Sequence, residues 1–433
     1  MNWLDYFTDP ILRAPTWGCI LMSVAASLMG VVLYLQKRLL VGESTAHAAY
    51  PGAVCGLVLT SALGQSAQES SAVAVLAGAF TTSWLGLKLL AILERRYKIQ
   101  SDSALCFILS VFFGSGVLAA SWLQAVDPVG ASQIQMLLFG QAATLTDAHV
   151  LLYVILACGT LFFLLAAFRP VQALLFDRNF AGAIGIRSQA VERTLVFLLL
   201  LSFVIGIRSV GVVLLSGMLI GPAVAARQIA RRLKTLFFAA AGIGALSGLL
   251  GNVISVETAL RSTSHTIPTG PAIVLVSGAI ALMSLLFAPG RGVLFRILRR
   301  TAFQVRCLEE NVLKGIWKRG GMTHLELKQR YPTLIRLVVW RLVKQGWLVG
   351  QTRSLYQLTP DGVLRAERII RLHRLWELYM TQQLGVHAER VHLSAEEMEH
   401  VLTPELERQL TEVLADPQRD PHDQPIPQKQ GGL

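Results

Sequence analysis

Two groups of residues have types and spacings that suit metal ions. His373 and Glu377 stand four apart, and His392, Glu396, Glu399 and His400 follow at i, i+4, i+7 and i+8. Residues three and four apart are neighbours on a helix surface, so each group falls along one helix face. Together the faces offer three imidazoles and three carboxylates, a donor set suited to borderline divalent ions. Surface ion pairing is the plainer use of the same residues, because Arg371, Arg374 and Arg390 lie close by. A smaller pair sits near the other end of the chain. Glu43 and His47, in GESTAHAAYPG, are again four apart. Ionisable groups beside an apolar run are costly and usually line a pathway. The alternative is a loop-edge carboxylate with a helix-capping imidazole.

The elements around these residues divide the chain in two. Only 15% of the 433 residues are charged, against about 25% in ordinary soluble domains. Residues 1–290 hold 17 Lys/Arg and 11 Asp/Glu, whereas 291–433 hold 22 and 16. The first part is therefore lipid-like and the second soluble in composition. Apolar runs of roughly the length a helix needs to cross a bilayer fall near 16–36, 46–64, 71–93, 103–124, 148–168, 192–207, 209–229, 236–257 and 270–288. They are too long and continuous for barrel strands, so helices are expected. Basic residues concentrate in alternate loops, at Lys37/Arg38, Arg95/Arg96/Lys98, Arg169 to Arg193, Arg227 to Lys234 and Arg291 to Arg300. By the excess of Lys/Arg on the cytosolic side, the N-terminus is outside and the soluble tail inside. Gly-rich stretches at 211–221 and 242–251 are expected at close helix crossings. Five cysteines without CxxC spacing read as small buried hydrophobes. The first apolar run lacks a basic leader and reads as a retained span.

The tail begins with MTHLELKQRYPTLIRLVVWRLVKQGWLV, a helix–turn–helix pattern whose second helix ends at Gly346. LYQLTPDG then reads as a strand leading to a turn, giving a winged helix. Its second helix would offer Arg336 and Arg341 to DNA. The last stretch, PQRDPHDQPIPQKQGGL, is polar and Pro-rich and is expected to be poorly ordered.

Residues 31–60, VVLYLQKRLLVGESTAHAAYPGAVCGLVLT, resemble the signature of the ABC permeases that import zinc, manganese or iron. SDSALCFILSVFFGSGV, QMLLFG, FDRNFAGAIGI and SVGVVLLSGMLIGPAVAAR agree in order, so the resemblance spans nearly all of 16–288. It implies that Glu43 and His47 line the metal pathway and that FDRNFAGAIGI forms a short helix docking on an ATPase. No G-x-x-x-x-G-K-[ST] loop occurs, so ATP hydrolysis is expected on a separate subunit and no ATP site on this chain. The tail resembles the diphtheria toxin repressor family of metal-dependent regulators, through LTPDGVLRAERIIRLHRLWELYMTQQLG, VHLSAEEMEH and DPQRDPHDQPIP. That resemblance implies metal ligands at His373, Glu377, His392, Glu396, Glu399 and His400, with Glu396 leaning the choice toward manganese. One departure stands out. Where the family takes a further ligand from the first helix of its DNA-binding part, this chain has Asn311, Leu313 and Lys314, with Glu309 and Glu310 as possible substitutes.

The expected architecture is an all-α polytopic membrane protein of about nine transmembrane helices with a C-terminal cytosolic winged-helix and helical metal-binding/dimerisation domain. Its parts are a permease domain over 1–290, a basic linker at 291–302, a winged helix at 303–362, a sensing domain at 363–415 and a Pro-rich tail at 416–433. Such a chain would be the permease subunit of an ABC importer for manganese, iron or zinc, in a bacterial inner membrane. Its expected partners are an ABC ATPase, an extracytoplasmic metal-binding protein, a second permease copy or paralogue, the bilayer and operator DNA. The competing readings are an ion-gradient-driven carrier with a regulatory tail and a membrane-anchored transcriptional regulator. No nucleophile or catalytic-metal signature supports an enzyme.

Overall fold

The computed structural model describes residues 3–62, 68–126, 137–138, 140, 142–261, 267–332, 334–351 and 355–428. The chain forms two compact units, Met1–Phe295 and Arg296–Leu433.

In the first unit a short α1 (Asp5–Thr8) precedes α2 (Arg13–Leu35), α3 (Leu39–Ala62), α4 (Gln68–Arg95) and α5 (Ser101–Val126). After the 3-10 turn Ala142–Thr144 come α6 (Asp147–Ala166), the short α7 (Phe168–Phe176) and α8 (Arg178–Ala183), α9 (Ser188–Val210), α10 (Val212–Ile229), α11 (Leu233–Arg261) and α12 (Thr269–Phe287). Among the described residues seven helices are long and apolar enough to cross a membrane. The other two expected spans coincide with α3 and α10, which fall outside those seven. On α3 the polar run Glu43–His47 lowers the mean apolarity, and both helices run through an internal proline, Pro51 and Pro222. Proline lacks an N–H, so within α3 Pro51 leaves the His47 carbonyl without its i+4 donor.

Helix contacts in lipid depend on close approach and on satisfied polar groups. Gly248 and Gly244 of α11 face α2 so closely that an added Cβ would stand 2.6 Å from the Cys19 carbonyl oxygen and 2.7 Å from that of Ser23. Glycine is needed there because any side chain would separate the helices. Asn252 of the same helix, fully buried, donates to Thr16 Oγ1 at 2.9 Å. Gly217, Gly221 and Gly251 also lie at crossings, whereas Gly242 opens onto free space. Of the cysteines, Cys19 is buried, but Cys55, Cys106 and Cys158 lie exposed on the unit's surface and Cys307 half-buried. Cys55, Cys106 and Cys158 lie on the outward faces of their helices, where lipid and not protein takes up apolar side chains.

The second unit contains most of α13 (Val293–Arg319), so the basic stretch 291–302 is helical from Val293 onward. Then follow β1 (Met322–Thr323), α14 (His324–Arg330), α15 (Ile335–Lys344), β2 (Leu348–Gln351), β3 (Leu355–Leu358), α16 (Pro360–Gln382), α17 (Ala388–Met398) and α18 (Pro404–Val413). The strands form an antiparallel sheet of order β1-β3-β2. Val312, Leu313 and Ile316 of α13 pack with Leu327, Ile335, Val338 and Leu342 into the winged-helix core. Thr323 and Glu326 cap each other's backbone at the start of α14, and Gly346, at φ +74°, ends α15. The TPDG sequence is not a turn. Thr359 accepts from the Gly362 amide and Pro360 takes the first helical position, so α16 starts there.

The C-terminal stretch is ordered through residue 428, against expectation. Ile426 is 4% exposed and packs with Leu375, Leu378 and Leu414. The buried Arg371 donates to the Pro427 carbonyl at 2.8 Å, and Arg374 donates to that of Pro425. Guanidinium donors thus replace the water that a Pro-rich segment normally needs. Residues 429–433 lie outside the described residues. Ile426→Ala is expected to destabilise the second unit by about 2 kcal/mol or more. It should also open 417–428 to limited proteolysis; an unchanged digestion pattern would count against docking of this segment.

Candidate metal centre

α16 carries His373 and Glu377 one turn apart, and α17 packs alongside and carries His392. Trp376 reaches across and donates to Ser394 at 3.3 Å, which sets the register of the two helices. His373 Nε2 lies 3.3 Å from Glu377 Oε1 and 3.1 Å from His392 Nδ1, and that Nδ1 is 2.9 Å from Glu377 Oε1. One ligand atom from each of these residues falls within 4.8 Å of the other two. Two imidazoles and a carboxylate converging in this way fit a divalent transition metal. His373 and Glu377 are buried, while His392 is half exposed and opens the cluster to solvent.

The other expected ligands are placed differently. Glu399 Oε2 is 2.5 Å from His373 Nδ1, on the ring edge opposite the cluster. That short contact assigns the Nδ1 proton to His373, leaving Nε2 to face Glu377 and His392. A carboxylate behind a ligating histidine fixes its tautomer and ring orientation. Lys314 Nζ lies 2.7 and 3.0 Å from the two oxygens of Glu399. His400 turns to Glu310, with Nδ1 2.7 Å from its Oε2, and its Nε2 is 3.8 Å from Glu399. Glu310 also pairs with Arg306 and Arg365, each at 3.2 Å. Glu396 is half exposed and stands 3.8 Å from His392 Nε2, away from the converging atoms. Of the six expected ligands, three converge, one stands behind them and two point elsewhere. Spacing along a helix could not separate these roles, because Lys314 and Glu310 enter from α13, about 60 to 90 residues away in sequence. Asn311 contributes its carbonyl to Tyr331, Leu313 is core, and Glu309 pairs with Arg341 at 2.8 Å.

In the first unit Glu43 and His47 are both half-buried on one face of α3. The His47 ring stands edge-on to Phe113 with centroids 4.7 Å apart, and its buried Nδ1 has no hydrogen-bond partner. An unpaired buried nitrogen is costly, about 1–3 kcal/mol, and calls for a partner. On α15, Arg336 is exposed and Arg341 is held by Glu309. Around α7 and α8 the FDRNFAGAIGI segment is helical, capped by Asp177, whose carboxylate accepts from the Asn179 and Phe180 amides. Phe176, Phe180 and Ile184 there are more than half exposed.

A bundle of apolar helices is joined to a winged helix with a two-helix cluster of imidazole and carboxylate donors. Residues 8–288 match the ABC 3 transport family, and 359–428 match the iron dependent repressor, metal binding and dimerisation domain. The chain belongs to the ABC 3 transport family. It is 33% identical to a probable metal transport system membrane protein of Chlamydia trachomatis serovar D, over 98% of this chain and 97% of that one. With the manganese transport system membrane protein MntC of Bacillus subtilis it shares 27% identity over 85% of this chain and 83% of the relative. PsaBC from Streptococcus pneumoniae, solved with a Fab, has the same fold, with a TM-score of 0.56 at 23% identity over 66% of this chain and 95% of that one.

Burial opposes ionisation of both His373 and Glu377, but their mutual hydrogen bonds win. Those bonds, with one to His392, hold Glu377 at about 2, and bonds to Glu377 and Glu399 raise His373 above its ordinary 6.5. Glu377 therefore stabilises the fold above its ordinary 4.5, and that contribution is lost as pH falls toward 2. His373 contributes below 6.5, and its share is lost as pH rises through its folded value. With chelator present, the second unit of the full-length protein is expected to melt highest between pH 4.5 and 6.5. A melting temperature climbing steadily from about pH 6 to 9 contradicts the assignment.

Proposed function

We propose that this chain is the permease subunit of an ABC importer for a divalent transition metal, with a C-terminal metal sensor. The observation that carries the reading is the family match over 8–288 on a chain collinear with a metal transport protein. The metal (manganese, iron or zinc) is cargo in the first unit and regulator in the second. Glu43 and His47 line the pathway, and the unpartnered His47 Nδ1 supports a ligand role there. The chain has no phosphate-binding loop, so a separate ABC ATPase supplies the energy. The exposed Phe176, Phe180 and Ile184 in a basic loop suit its docking. An extracytoplasmic binding protein delivers the ion, and a second permease copy or paralogue completes the pore.

Loop charge supports a bacterial inner-membrane location with the N-terminus outside and the tail in the cytosol. The permease domain spans 1–290, the winged helix 303–362 and the sensing domain 363–415. In the sensor His373, Glu377 and His392 hold the ion. Glu396, Glu399 and His400 complete the surroundings.

Glu43→Ala and His47→Ala are each expected to cut metal uptake at least about tenfold at unchanged membrane abundance, as losing a metal ligand should. Unchanged uptake would remove the pathway assignment. Uptake that survives loss of the ATPase but collapses with the ion gradient would favour the carrier alternative.

A second reading, operator binding, is favoured by the winged-helix topology and by Arg336 exposed on α15. The same face exposes Leu337, Trp340 and Val343, so few cations are available for phosphates. Under this reading Arg336→Ala weakens DNA binding by the full-length protein similarly for all sequences. A gel shift at low salt with no retardation of any DNA rules it out.

A further inference from the structure

Lysine and glutamate are almost never fully buried unless paired. Lys314 is 6% exposed and Glu399 2%. Lys314 is anchored from both sides, since its neighbours Leu313 and Ile316 belong to the winged-helix core. From there its ammonium reaches Glu399 at 2.7 and 3.0 Å and approaches His373 Nδ1 to 3.2 Å. An ammonium has three donors and no acceptor, so it is itself the cation in this space. The two buried groups a second metal ion would need, Glu399 and His400, are committed. Both oxygens of Glu399 accept from Lys314, and Oε2 also from His373. His400 is turned to Glu310, and Glu396 is half exposed.

We propose that Lys314 is a built-in cation standing where a second metal ion would bind. It fixes Glu399 as the orienter of His373, so the sensor takes up one divalent ion, at His373, Glu377 and His392. This rests on the metal-sensing reading above. It has a consequence for regulation. Lys314 ties α13 to α16 and to Glu399 at the C-terminal end of α17 at every metal concentration, so metal acts on the pairing of α16 with α17 and not on attachment of the winged helix.

The test counts manganese ions per chain by equilibrium dialysis of the full-length protein in detergent. Lys314→Met keeps the aliphatic stem and removes the charge. It is expected to take up one ion per chain more than the wild type, and adding Glu399→Gln removes that increment. In the wild-type background Glu399→Gln lowers affinity for the His392-dependent ion about 10- to 100-fold, as loss of an orienting carboxylate does, without changing the number bound. An ion in the wild type that vanishes in Glu399→Gln but survives His392→Ala overturns the inference and leaves the sensing reading intact. No gain in Lys314→Met also overturns it. Absence of any His392-dependent ion in both proteins sinks the sensing reading and the inference together. A second arm needs no variant. Amine acetylation of the wild type, read by mass spectrometry, should leave Lys314 unmodified with and without manganese while the exposed Lys344 reacts. Lys314 that becomes reactive when manganese is added has been displaced by the metal, and the inference fails.

Discussion

A charge or polar nitrogen withdrawn from water costs several kcal/mol unless something inside the protein answers it. In the second unit the answer is explicit. Glu399 is enclosed on every side and accepts from Lys314 and His373, while Glu377 is enclosed and accepts from His373 and His392. These contacts draw in α13, α16 and α17 together, because no single helix carries both signs in the right place. Glu310 extends the set by receiving His400, Arg306 and Arg365. The three helices are thus joined by a chain of charges as much as by the apolar cores on either side.

The same requirement shapes the first unit with fewer means. Apolar helices in lipid have little to answer a polar atom with, so Asn252 finds Thr16, Ser44 finds the Leu105 carbonyl and Ser83 that of Thr45. His47 Nδ1 has no such partner. Phe113 meets the imidazole only with a ring edge. An unanswered imidazole nitrogen, unlike the unpaired hydroxyls of Ser23, Thr160 and Ser277, is a strong donor to a transition metal, so an ion could be taken up there without first breaking a bond.

Much of this was legible in sequence. Charge density marked the division of the chain, and the i,i+4 pairs fell on the helices that carry the candidate ligands. What sequence could not show came from long-range partners. Helical periodicity put Glu399 and His400 on the face of His392, but α17 ends at Met398, and Lys314 and Glu310 from α13 take up the two side chains beyond it. The C-terminal segment read as solvated for a similar reason. Its prolines and acids are polar in isolation, and the arginines that satisfy its carbonyls lie about 50 residues earlier. The TPDG sequence carried two compatible signals, turn and helix start, and packing of Gly362 against the Trp347 carbonyl selected the helix.

The two proposed metal positions use the same pair of donors, a carboxylate and an imidazole one helical turn apart, and differ in what stands behind them. His373 has Glu399 at its far nitrogen, and Glu399 has Lys314, so the ligand is held before any ion arrives. Such support raises affinity and fixes geometry. His47 has an aromatic edge and no hydrogen bond at Nδ1. A ligand free to adjust binds more weakly and releases more readily, which suits an ion in passage. On the proposed roles, retention in the sensor and release in the pathway would follow from the surroundings of one shared donor pair, without any difference in the metal itself.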